Sequence, residues 1–173
     1  IALALKDSLG NFAGGVLIII SKPFSKGDHI EDYQTAGQVE KIDLLYTTLI
    51  TFDNKVVTIP NGKLANSTIV NYTRMETRRV DCTFSVTYQD DIMKVKDILL
   101  AVAESSPLIL GEPAPLIGVA KQGDGRIEVD LKVWCGTQDF LDVRYYLQEQ
   151  VKLAFDEADI KMAHPVMEVQ LKK

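Results

Sequence analysis

The segment Ser8-Leu-Gly-Asn-Phe-Ala-Gly-Gly-Val-Leu-Ile-Ile-Ile20 carries no charge and almost no polar side chain. A second apolar stretch, Ile1-Ala-Leu-Ala-Leu5, precedes it, and only Lys6-Asp7 separates the two. A helix that crosses a bilayer needs about 20 uninterrupted apolar residues. A helix on a soluble core shows a polar stripe. This stretch meets neither condition. It predicts the end of a membrane span over residues 1–5, joined to a helix at the membrane surface over residues 8–20. Gly10 and Gly14 form a GxxxG pair, with Ala13 and Gly15 beside them. Small residues at that spacing let membrane helices pack backbone to backbone. Lys22-Pro23 closes the helix, because the residue before proline avoids the α region. Lys22 and Lys26 follow with no acid before Asp28, as at a cytoplasmic membrane edge. No basic stretch precedes the run and no small-x-small site follows it, which argues against a signal peptide. A chain that starts at Ile1 reads as a fragment of a longer protein.

From Asp28 the pattern changes to period two, rich in Val, Ile, Thr and Tyr. Strands are expected at His29 to Tyr33, Gln38 to Asp43, Thr47 to Phe52, Val56 to Ile59 and Thr68 to Tyr72, the third and fourth joined by a hairpin at Asp53-Asn54. Gly37 reads as a bulge or turn. Pro60-Asn61-Gly62 reads as a turn, with a helical turn at Lys63 to Asn66. Several short strands with turn signals predict a small, Sm-like β-barrel. Residues 73–78 are polar and read as a linker.

A second module begins at Arg79. Val80 to Tyr88 is a strand. Asp90 or Asp91 caps a helix that places Ile92, Val95, Ile98, Leu99 and Val102 on one face. Pro107, Pro113 and Pro115 mark a loop, and Leu116 to Lys121 is a strand. Gly123-Asp-Gly125 is a hairpin turn into Ile127 to Cys135, with Ile127, Val129, Leu131 and Val133 on one side. A helix from about Phe140 to Ala158 follows, and His164-Pro165 precedes a last strand, Val166 to Leu171. The order β-α-β-β-α-β is the ferredoxin-like arrangement.

The 173 residues carry 19 Lys plus Arg against 24 Asp plus Glu, a net charge of -5. That balance argues against a nucleic-acid surface. Cys82 and Cys135 lie in strand-like runs without metal-ligand spacing, and read as buried thiols. The two histidines, His29 and His164, stand alone. His29 beside Asp28 is a candidate base without a nucleophile, and His164 reads as a turn residue. Asp90-Asp91 is explained by a helix cap. Gly123-Asp-Gly-Arg126 opens no helix, so the phosphate-cradle logic fails. Arg78-Arg79 reads as an inter-domain salt bridge and Trp134 as core. No catalytic, metal or cofactor site is expected, and the chain does not read as an enzyme.

Set in order, Leu3-Ala-Leu5, Ser8-Leu9, Asn11, Ala13 and Gly15-Val-Leu17, then Pro23-Phe-x-x-Gly-Asp28, Gly37-x-Val39, Thr47-Thr48, Ile59-Pro-Asn-Gly-Lys63, Asn71-Tyr72-x-Arg74, Arg78-Arg79 and Pro165-x-Met167-Glu-Val169 resemble the small-conductance mechanosensitive channel (MscS-like) family of bacteria. Ile59 to Lys63 is the most specific piece. The resemblance implies a bacterial inner-membrane channel, opened by tension, that releases ions and small osmolytes on hypo-osmotic shock. It implies a homo-heptamer in contact with membrane lipid, without nucleic acid or cofactor. The corresponding division is 1–21, the end of the pore-lining helix and an amphipathic surface helix; 22–73, the Sm-like β domain; 74–163, the ferredoxin-like α/β domain; and 164–173, a C-terminal strand for an inter-subunit barrel. Leu3 matches a pore-closing leucine ring, with Ala2 and Ala4 as pore-helix packing residues. Asp7 stands where the family often has a glycine kink, Gly15 matches a second kink position and Asn11 a residue linked to inactivation. Pro60, Asn61 and Gly62 form the β-domain signature. Two other classes fit parts of the pattern: a non-conducting membrane-anchored oligomeric scaffold, and an Sm-like RNA-binding ring.

Overall fold

A computed structural model describes residues 2–32 and 35–163, with side chains from Leu5 onward. The chain divides into two compact units, with the boundary between Met75 and Glu76.

The first unit opens with helix α1, Ala2–Ser21. It runs through Lys6-Asp7 without a break, where a join between two helices was expected. Neither residue opposes helix strongly enough to end one. The stop comes at Lys22, whose φ is 47° and whose N–H reaches the Ile18 carbonyl at 2.9 Å. This is a left-handed cap, and Pro23 bars any continuation. No helix among the described residues is long and apolar enough to cross a membrane.

Strands β1 (His29–Glu31), β2 (Ala36–Ile42), β3 (Tyr46–Ile50) and β4 (Val56–Pro60) follow, then the short helix α2 (Asn61–Ala65) and strand β5 (Val70–Asn71). All pairings are antiparallel, in the order β4-β3-β2-β1-β5. Asn54 turns the β3–β4 hairpin with φ 62°. Gly37 is neither bulge nor turn. It stays in register opposite Ile30, and a Cβ there would stand 2.8 Å from the Ile50 carbonyl oxygen. The irregularity lies further on, between Val39 and Lys41. Ile18, Phe24, Ile30, Val39, Leu49, Ile59 and Leu64 form the core. Helix α1 therefore supplies part of that core through Ile18.

The second unit is α+β: β6 (Thr77–Val86), α3 (Ile92–Glu104), β7 (Leu116–Gly123), β8 (Arg126–Gly136) and α4 (Phe140–Glu157), with sheet order β6-β8-β7. Burial alternates strictly along β8. Ile127, Val129, Leu131, Val133 and Cys135 form one core with Val80, Phe84, Leu99, Val143, Leu147 and Phe155. The same parity places Trp134 on the opposite face, half-buried, which corrects its reading as core. Asp91 caps α3 by accepting the Met93 N–H at 2.9 Å, and Asp90 accepts from the Thr87 N–H and hydroxyl. Two hydrogen bonds join the helices, Ser105 Oγ to Tyr146 OH and Lys94 Nζ to the Ala158 carbonyl, each 2.7 Å. Gly123, Asp124 and Gly125 all take positive φ at the β7–β8 turn.

The ferredoxin-like order leaves a place for one more strand beside β6. An antiparallel bridge between Val86 and Met162 marks it, with the Ala163 N–H on the Ser85 carbonyl at 3.0 Å. The expected strand from Val166 lies outside the described residues. Both cysteines are free and buried, and burial pushes their thiols up from the ordinary range. Leu131→Ala is expected to cost about 3 kcal/mol in urea unfolding of this unit, because Leu131 is fully buried. Neither thiol should react with a maleimide before that unfolding transition.

Candidate functional site

Helix α2 has five residues and begins after Pro60, whose side chain offers no cap. So short a helix leaves most of its N–H groups without partners inside it. The missing partner comes from α1: Asn11 Oδ1 accepts the Gly62 N–H at 3.0 Å, a cap contributed from 51 positions away in sequence. The expected turn at Pro60-Asn61-Gly62 is thus the start of α2, with Pro60 as the last residue of β4.

Asn61 is fully buried, as is Thr47. Its Oδ1 accepts the Thr47 hydroxyl at 2.8 Å, its Nδ2 donates to the Asp43 carbonyl at 2.7 Å, and its backbone N–H donates to the Leu45 carbonyl at 2.9 Å. A buried amide without such partners would cost about 2 kcal/mol or more. These bonds fix the β2–β3 corner, the end of β4 and the first turn of α2 to one another.

The glycines of α1 meet this corner. A Cβ on Gly14 would stand 2.6 Å from the carbonyl carbon and oxygen of Asn61. On Gly15 it would stand 2.2 Å from the Leu44 carbonyl oxygen and 2.7 Å from Asn61 Nδ2. On Gly62 it would stand 2.9 Å from Asn11 Oδ1. Gly10, the other half of the GxxxG pair, has nothing within 4 Å of its missing Cβ. The structure therefore brings together Asn11, Gly14, Gly15, Asn61 and Gly62, with Pro60 beside them. Gly10 enters the cluster only through its backbone carbonyl, whose oxygen a Cβ on Gly62 would meet at 3.0 Å, and the exposed Asp7 stays outside it. The side chains of Leu3, Ala2 and Ala4 lie outside the described residues. Thr47 was known only as part of a resemblance. Its role as the hydrogen-bond partner of Asn61 had no signal in the sequence, since the two meet only when β3 pairs with β4.

The stripe of α1 opposite this contact is also apolar. Leu5, Leu9, Phe12, Val16 and Ile20 recur at three- and four-residue spacing, and Leu9 and Ile20 are 65% and 74% exposed. One face of α1 is docked and the other is uncovered among the described residues. The remaining candidates have structural settings. His29 stacks on Phe52, ring centroids 4.4 Å apart, and lies 5.9 Å from Tyr72. Arg78 sits over the Phe140 ring at 3.8 Å. Arg79 pairs with Asp81 of its own strand at 2.6 and 2.9 Å, so the expected inter-domain salt bridge is an ion pair within β6.

Residues 7–74 match the family described as mechanosensitive ion channel, beta-domain, and residues 80–162 match mechanosensitive ion channel MscS, C-terminal. An uncharacterised MscS family protein of Synechocystis is 35% identical over 99% of this chain and 58% of its own length. A small-conductance mechanosensitive channel of Edwardsiella ictaluri is 34% identical over 99% of this chain and 60% of its own. The chain thus spans about three fifths of the curated relatives it matches. The crystal structure of Helicobacter pylori MscS in a closed state superposes with a TM-score of 0.94 at 32% identity, over 99% of this chain and 68% of that one. Arabidopsis thaliana MSL1, at 22% identity, shares the fold with a TM-score of 0.78 over 94% of this chain and 61% of that one.

The two halves of the GxxxG pair should separate in mutagenesis. Gly15→Ala places a methyl against a backbone carbonyl and is expected to release α1 from α2, read as faster amide exchange across Asn11 to Ile18. Gly10→Ala adds a methyl in open space and is expected to be neutral, or to stabilise α1 by about 0.5–1 kcal/mol. Equal loosening by both variants would show that the close approach at Leu44 is not what holds α1.

Proposed function

The chain belongs to the MscS family of mechanosensitive ion channels, and on that premise we propose that the full-length protein is a channel of the bacterial inner membrane. It opens under membrane tension and releases ions and small osmolytes when the cell is diluted. The observation that carries this reading is the two-faced apolar α1. One face is locked to the β unit by Asn11, Gly14 and Gly15, and the other presents Leu9, Phe12 and Ile20 outward. Burying such a face in lipid or against neighbouring copies removes apolar surface from water. A helix held this way follows the membrane on one side and moves the β unit on the other.

Leu3 is the gate in this reading. A ring of leucines in a narrow pore excludes water, and ions cannot cross while it is dry. Ala2 and Ala4 keep neighbouring pore helices close enough to slide. Gly15 is a kink position in this reading, and the Leu44 carbonyl, which an added Cβ would meet at 2.2 Å, leaves no room there for a larger residue.

The assembly is a ring of copies, a heptamer as the family resemblance implies. In the sequence, Met167, Val169 and Leu171 alternate with Glu168 and Gln170, a period-two pattern that suits the strand for an inter-subunit barrel that the family resemblance implies.

Reconstitution of the full-length protein into pure lipid tests the channel directly. Stretch of an excised patch should evoke current, and Leu3→Ser should lower the tension at which it appears by admitting water. An unchanged threshold would remove Leu3 from the gate. A wild-type protein that stays silent at every tension below rupture would favour a non-conducting membrane scaffold.

A further inference from the structure

Two segments far apart in sequence converge on the C-terminus of α1. Arg74 Nη1 donates to the carbonyls of Lys22 at 3.0 Å and Pro23 at 3.1 Å, the two residues that follow α1 and turn the chain away from it. A guanidinium suits this place, since it offers several N–H groups and its charge is permanent. Asn71 aims it. Asn71 Oδ1 accepts the N–H groups of Thr73 at 3.1 Å and Arg74 at 3.0 Å, and its Nδ2 donates to Asp28 Oδ2 at 2.8 Å. The same Asp28 oxygen accepts the Ser25 N–H at 2.9 Å. The turn that leaves α1 and the turn that leaves β5 are therefore bonded to each other through side chains of both.

Arg74 stands immediately before Met75, the last residue of the first compact unit, and β6 begins at Thr77. We propose that residues 71–74 are a strap and Arg74 a positioning residue, tying the end of α1 to the point where the chain departs for the second unit. A displacement of the chain at β6 then reaches the Lys22-Pro23 turn that ends α1 through the two Arg74 hydrogen bonds, and reaches β1 through the bonds of His29 to Tyr72 and Thr73. The strap is separate from the contact of Asn11, Gly14 and Gly15 with α2, which holds the middle of the helix. Losing Arg74 frees the end of α1 and leaves its middle docked. The electrical consequence rests on the channel reading: with the end of α1 released, an open pore should lose its current sooner under held tension.

Hydrogen exchange on the full-length protein reads the strap without any current. Arg74→Ala is expected to speed exchange of the Ile19 to Lys22 amides about tenfold, the factor one charged hydrogen bond supports, while Asn61 to Leu64 stay at the wild-type rate. Arg74→Lys, which keeps a cation, should restore part of the protection. Lys55→Ala, which removes an exposed ion pair with Asp53 on the β3–β4 hairpin, should change nothing at either place. In patches, current under held tension should decay faster in Arg74→Ala than in wild type, with Arg74→Lys in between. Unchanged exchange at Ile19 to Lys22, or equal acceleration at Asn61 to Leu64, overturns the strap. So does unchanged decay in a conducting protein. A wild-type protein without tension-gated current overturns the channel reading instead, and the exchange result still decides the strap.

Discussion

The first unit depends on the approach of α1 to the start of α2 at backbone distance. Gly14 and Gly15 leave no side chain between the helix and the carbonyls of Asn61 and Leu44. That closeness puts Asn11 within reach of the Gly62 N–H and lets Ile18 enter the core beside Leu64. A five-residue helix is too short to stand alone, so α2 exists because α1 caps it and the sheet supports it. Asn61 makes the arrangement specific, since each polar group of its buried side chain has one partner in the β2–β3 corner or in β3.

α1 is held at two places by different chemistry. Its middle is fixed by steric fit and one amide cap, and the Lys22-Pro23 turn that follows it by a guanidinium on two carbonyls. The apolar stripe on its far side is uncovered among the described residues, and the proposed channel function gives that stripe its use.

The second unit rests on a longer, more regular constraint. β6 and β8 stay in register from Thr77–Gly136 to Val86–Ile127, and every second residue of each faces one core. Period-two alternation was plain in the sequence of Ile127 to Cys135, so the strand, its inward residues and the following helix were all legible there. Trp134 was not placed correctly, because its aromatic bulk outweighed its parity. Gly37 was misplaced for a related reason. A glycine in a strand signals either a bulge or a close approach, and only the position of Ile50 across β2 and β3 distinguishes the two.

The sequence alone determined the period of each segment, the helix stop at Lys22-Pro23 and the ordered motifs that carry the family resemblance, because these depend on residues near one another along the chain. Tertiary structure decided what the motifs are for. Pro60-Asn61-Gly62 starts a helix instead of a free turn because Asn11, Gly14 and Gly15 lie against it. Asn71 to Arg74, which resembled a mere domain boundary, is bonded back to Lys22, Pro23 and Asp28. Gly10 and Gly14 are equivalent in the GxxxG pattern and unequal in the fold. Local propensity sets the backbone of such positions, but partners far away in sequence set their energy, and those partners exist only once the sheet has formed.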